Sequence, residues 1–142
     1  MKKYKIGYTT GVFDMFHIGH LNILRRAKEQ CEYLIVGVST DELCLNRKNK
    51  KPIIFQEDRV EIISAIKYVD EVVLQSDMNK IEAIKKHKVN AVFVGSDWKN
   101  SDAWLAYEKE FSEFGCEVVY LDHTEGISST IIREKLNDIS NA

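Results

Sequence analysis

A chain of 142 residues is long enough to bury a real core, and one domain is expected over residues 1–142. Apolar residues make up 44% and charged residues 30%, with a net charge of −2 and no polybasic tail, which disfavours nucleic acid as a partner. No apolar run reaches the length of a membrane span, so no membrane partner is expected, and the N-terminus lacks the apolar stretch of a signal peptide.

Three widely spaced cysteines, Cys31, Cys44 and Cys116, form no C-x-x-C pair, an arrangement that suits free thiols in the cytoplasm. Residues 5–9 read as a first strand, and the apolar spacing of Ile18, Leu21, Ile23, Leu24 and Ala27 predicts a helix over 18–30. A continuous apolar run over 33–39 predicts a strand covered on both faces. The basic stretch 46–51 then reads as part of a long loop ending at Pro52. Beyond it come a helix over 57–66, a strand over 69–74, a short helix over 80–87 and a buried strand over 90–94. A helix over 102–114 stopped by Gly115, a strand over 117–121 and a helix over 129–136 complete the chain. This alternation predicts an α/β fold, a Rossmann-like doubly wound parallel sheet of five strands with helices on both faces. In such sheets ligands sit at the carboxyl ends of the strands, where every distinctive motif of this chain falls.

Residues 11–20 (GVFDMFHIGH) place His17 and His20 around Gly19, between a strand and an amphipathic helix. A helix start offers unpaired N–H groups and a partial positive charge, which suits a phosphate. Two other readings stand beside it: a metal pair, for which only His87, His123 and scattered cysteines could complete the ligands, and two histidines that merely cap the helix. Gly19 weighs against simple capping, because a glycine in the first turn costs on the order of 1 kcal/mol relative to alanine.

Residues 11–20 resemble the H-x-G-H signature of the nucleotidylyltransferases, and residues 124–130 (TEGISST) resemble the T-E-G-I-S-[ST]-[ST] motif of the cytidylyltransferase family. Residues 39–42 (STDE), 68–72 (YVDEV) and 95–98 (GSDW) extend the similarity over nearly the whole length. The resemblance implies the nucleotidylyltransferase fold, a homodimer, and transfer of CMP from CTP to an alcohol phosphate, with Mg²⁺ shielding the triphosphate. The short chain is most similar to members that use glycerol 3-phosphate and form CDP-glycerol. Other acceptors (phosphocholine, phosphoethanolamine, a sugar-alcohol phosphate), an ATP-using adenylyltransferase and a CTP-binding protein without turnover are the alternatives.

By the same resemblance, His17 and His20 would hydrogen-bond the α-phosphate and bridging oxygens. Thr10, Gly11, Val12, Phe13, Asp14, Gly19 and Gly95 would form the nucleotide site, with Asp97 accepting from ribose or the cytosine amino group. Trp98 either walls the base pocket or packs in the core. Thr124, Gly126, Ile127, Ser128, Ser129 and Thr130 would hold the β- and γ-phosphates, although the hydroxyls could equally cap a helix. Lys48 is assigned a catalytic contact and Arg47 and Lys50 substrate contacts, in a loop about one residue different in length from the family's. Arg59 matches the arginine of the family's E-[HD]-R segment and would grip a substrate phosphate with two parallel hydrogen bonds; its plain reading is a surface charge on a helix. No protein metal ligand is expected. Two departures stand out. His123, assigned a substrate contact, stands before T-E-G-I-S where the family typically has arginine, and offers fewer donors and only partial charge; Ser96 replaces a frequent aspartate.

Overall fold

The computed structural model describes residues 2–77, 79–122, 132 and 134–136, with Lys48 described by its backbone alone. Strands β1 (Tyr4–Gly11), β2 (Cys31–Ser39), β3 (Glu71–Gln75), β4 (Ala91–Gly95) and β5 (Glu117–Leu121) pair in parallel in the order β3-β2-β1-β4-β5. Helices α1 (Ile18–Gln30), α2 (Asp41–Lys48), α3 (Gln56–Ser64), α4 (Ile81–His87) and α5 (Asp102–Ser112) join them, with a 3₁₀ turn at Ser96–Trp98. From β1 the chain steps outward to β2 and β3, then crosses back to β4 and β5. The strand order therefore reverses between β1 and β4, which opens a crevice at their carboxyl ends.

The apolar runs read in the sequence are apolar because both faces of the sheet are covered. Leu34, Val36 and Val38 of β2 pack with Leu24 and Ala27 of α1 and Ile63 of α3 on one face. On the other face Tyr8, Ile35 and Val92 pack with Ile84 of α4 and with Trp104 and Phe111 of α5. Register is fixed by pairs such as Thr9 with Val36 on one side and Thr9 with Phe93 on the other. Pairing of β1 with β2 continues to Gly11 opposite Val38, so β1 runs two residues beyond the expected end and delivers residues 12–17 directly to the crevice.

One element corrects the sequence reading. Arg47 and Lys48 are not in a loop: they end helix α2, which starts just after β2. Thr40 caps this helix by accepting from the Leu43 N–H at 3.1 Å, Asp41 and Glu42 occupy its first turn, and Leu43 and Cys44 are buried. Asn49 in a left-handed conformation (φ 54°) ends it. Elsewhere the expected elements are present with shifted ends, including β3 at 71–75 in place of 69–74. Gly115, at φ 71°, closes the turn between α5 and β5, a conformation glycine adopts without strain. Residues 132 and 134–136 are helical, and the rest of the helix expected over 129–136 lies outside the described residues.

Candidate active site

The link from β1 to α1 is built from unusual backbone. Phe13 (φ 55°) and Met15 (φ 50°) both take left-handed conformations although neither is glycine. The link ends at His17, the N-cap of α1, where Nδ1 accepts the Gly19 N–H at 3.0 Å. Three residues on, Nδ1 of His20 accepts the His17 N–H at 3.2 Å, completing a reciprocal cap. This pair of bonds fixes both tautomers. A nitrogen that accepts an N–H carries no proton, so each neutral ring holds its proton on Nε2. The rings stack 3.8 Å apart at 21°, with Phe13 edge-on to His20 at 5.5 Å. Capping and anion binding are therefore not competing roles, because they use opposite nitrogens of the same ring.

Electrostatics keep the rings neutral. Burial lowers the pKa of His17. For His20, burial and then repulsion from His17 push it down to about 4, with Asp14 opposing the shift. Near neutral pH each ring thus presents an N–H donor. Nε2 of His17 is buried and has no hydrogen-bond partner among the described residues. An orphaned donor of this kind costs about 1–3 kcal/mol unless a ligand completes it. The first turn of α1 also carries no acidic residue that would repel an anion.

Beside His20 lies a cleft of about 220 Å³ at the crevice between β1 and β4. Thr10, Gly11, Val12 and Phe13 line it from the β1 side, Gly95 and Trp98 from the β4 side. Trp98 is 52% exposed, which makes it a wall of the cleft mouth and not a core residue. Thr9, Ile23 and Val94 also line the cleft and escaped the sequence reading. Their signal was positional: Thr9 and Val94 lie at the carboxyl ends of β1 and β4, and Ile23 is one turn beyond His20. Asp97 is exposed on the 3₁₀ turn next to Trp98, outside the cleft lining.

Other expected site residues stand elsewhere. Arg59 is 1% exposed, neither a surface charge nor an open phosphate grip. It donates to Ile54 O at 2.8 Å, Val12 O at 2.7 Å, Ser39 O at 2.8 Å and Asp41 Oδ1 at 2.6 Å. Burying a guanidinium requires such partners, and satisfying them leaves its fork facing protein. Asp14 is 2% exposed, and its carboxylate accepts the Ile53 and Ile54 N–H groups, each at 2.9 Å. It is bound to backbone where nucleotide contact was expected. Arg47 and Lys50 are exposed at and beyond the end of α2 and do not line the cleft. The Lys48 side chain, His123, Thr124, Gly126, Ile127, Ser128, Ser129 and Thr130 lie outside the described residues. Among the described residues no group of three or more His, Cys, Asp or Glu side chains could hold a metal ion.

The crevice at the switch point has the neutral His20 in its lining and the neutral His17 stacked on that ring at a helix start, an arrangement whose N–H groups can receive an anion such as a phosphate. The chain belongs to the cytidylyltransferase-like family, whose model matches residues 8–135. It is 43% identical over 129 residues to glycerol-3-phosphate cytidylyltransferase of Bacillus spizizenii, covering 90% of this chain and 94% of that one. The Bacillus subtilis protein of the same name is 40% identical with the same coverage. Among solved structures, the lipopolysaccharide core biosynthesis protein of Thermoplasma volcanium matches 84% of this chain and 96% of its own, with a TM-score of 0.69 and 28% identity.

Proposed function

We propose that this protein transfers CMP from CTP to glycerol 3-phosphate, giving CDP-glycerol and pyrophosphate. The observation that carries this reading is the stacked His17–His20 pair, with both Nε2–H groups on the side opposite the capping bonds. The relatives named for that activity supply the acceptor and the base.

In this reaction an oxygen of the acceptor phosphate attacks the α-phosphorus of CTP in line. The new P–O bond forms as the bond from the α-phosphorus to the bridging oxygen breaks, and pyrophosphate carries off the electron pair. The nucleophile is already an anion, so no side chain has to remove a proton. What the reaction requires is alignment and stabilisation of charge on the non-bridging and leaving oxygens. His17 and His20 supply two fixed donors at that point. The half-exposed Trp98 offers a face for the cytosine ring, and Thr10 to Phe13 form the opposite wall. Mg²⁺ belongs to this reading as an ion carried by the triphosphate, whose charge it would shield. The enzyme is read as a homodimer on the family resemblance. Its place is the cytoplasm, a compartment that suits three buried cysteines that form no disulfide.

The test is pyrophosphate release from each nucleoside triphosphate with Mg²⁺ and a panel of alcohol phosphates. Release that requires both CTP and glycerol 3-phosphate is expected. Release with ATP would overturn the base assignment, a preference for phosphocholine, phosphoethanolamine or a sugar-alcohol phosphate would overturn the acceptor, and CTP binding without any release would make the chain a nucleotide sensor.

A further inference from the structure

Arg59, expected at a substrate phosphate, is instead the hub of a buried network that holds the residues on either side of Phe13, whose ring stands against His20. Three of its four hydrogen bonds join two places far apart in sequence: the entrance to the β1–α1 link at Val12, and the junction between β2 and α2 at Ser39 and Asp41. The fourth bond goes to Ile54 O, and the N–H of the same Ile54 donates to Asp14. The 53–54 segment therefore holds the link from both sides, through Arg59 at Val12 and through the Asp14 carboxylate two residues on. Between and beside these anchors lie Phe13 and Met15, each in a left-handed conformation that costs a non-glycine residue on the order of 1 kcal/mol or more. Strain of that kind persists only where the surroundings over-determine it.

We propose that Arg59 and Asp14 form a brace that holds the strained 12–16 link in the one path that presents His17 and His20 to the α-phosphate, so that Arg59 is a positioning residue and not a phosphate ligand. Two further observations support this. Val12 and Phe13 line the cleft, and the Phe13 ring stands against His20, so the braced residues touch the site directly. An anion arriving at Arg59 would also have to displace a backbone carbonyl or Asp41, at a residue with almost no exposed surface.

The consequence for turnover rests on the CMP-transfer reading, whereas the geometric claim does not. Lysine in place of Arg59 keeps the charge but carries its donors on a single nitrogen, which cannot span three carbonyls and a carboxylate. Arg59→Lys is expected to lower kcat about 100-fold, the scale of an ångström-sized misplacement, with KM for glycerol 3-phosphate within about twofold of wild type. Amide hydrogen exchange, measured without substrate, should speed up at Ile53, Ile54 and Gly19 while the β2 amides stay protected. A rise of about tenfold or more in acceptor KM with kcat retained would overturn the proposal in favour of phosphate binding. Uniform acceleration across all amides would overturn it in favour of a general stability role. If Arg59→Lys does not fold, Asp14→Asn removes an acceptor from the other arm of the brace and is read by the same two measurements, with the same expected and overturning results. A wild-type protein that is inactive with glycerol 3-phosphate would contradict the acceptor assignment alone, because the exchange pattern stands without it.

Discussion

The two nitrogens of His17 can be separated by substitution. Nδ1 caps α1 by accepting from Gly19, and Nε2 is the orphaned donor assigned to the α-phosphate. His17→Asn keeps a side-chain oxygen near the Nδ1 position and loses the outward N–H, whereas His17→Ala loses both. Asparagine is among the best N-caps, and replacing such a cap by alanine costs about 1 kcal/mol. For a chain of this size that is a fall of roughly 3–4 °C in Tm for the alanine variant, and about 1 °C or less for asparagine. Both variants lose a preorganised donor to developing charge, worth about 100- to 1,000-fold in kcat. The experiment is thermal unfolding by circular dichroism beside steady-state pyrophosphate release. Near-normal stability with a large loss of turnover in His17→Asn is the expected result. Turnover close to wild type in His17→Asn would refute the phosphate role, and equal destabilisation in both variants would refute the capping role.

Three further outcomes follow from the geometry. Because His20 titrates near 4 when folded against an ordinary value of 6.5, the unfolded chain takes up a proton across that window that the folded chain refuses. Stability should therefore fall as pH drops from 6.5 to about 4, by roughly 2 kcal/mol once partial exposure is allowed for, and His20→Gln should flatten that slope in urea titrations. Trp98→Ala should weaken CTP binding about tenfold by calorimetry while shifting Tm by no more than about 2 °C, since base stacking is lost at a residue that packs little of the core. Gly37→Ala should cost about 1–3 kcal/mol, because its Cβ would lie 2.6 Å from Tyr8 Oη and 3.0 Å from Thr10 Cγ2. The push on Thr10 should also raise KM for CTP.

What the sequence discloses follows the range of the interactions involved. Strands β2 and β4 are legible because burial on both faces makes them continuously apolar. The His17–Gly19–His20 turn is legible because cap, glycine and second ring lie within four residues. Helix α2 was hidden by its cationic end, although Thr40, Asp41, Glu42 and Leu43 spell an ordinary helix start. Arg59 illustrates a deeper limit. Its partners are carbonyls of Val12, Ser39 and Ile54, and any residue type at those places supplies the same carbonyl. The left-handed Phe13 and Met15 leave no trace either, since neither residue favours that conformation. Trp98 was ambiguous between core and cleft because a bulky apolar residue just after a buried strand serves either purpose; its exposure decides.

The central claim is that two neutral imidazoles, each with its proton on Nε2, meet the α-phosphate of CTP. The most direct measurement is the ¹⁵N spectrum of the histidine rings at pH 7, recorded free and then with CTP. Nε2–H tautomers for both His17 and His20 are expected, with both Nε2 signals moving on addition of CTP and staying in place with glycerol 3-phosphate alone. An imidazolium, an Nδ1–H tautomer, or rings indifferent to CTP would contradict the account.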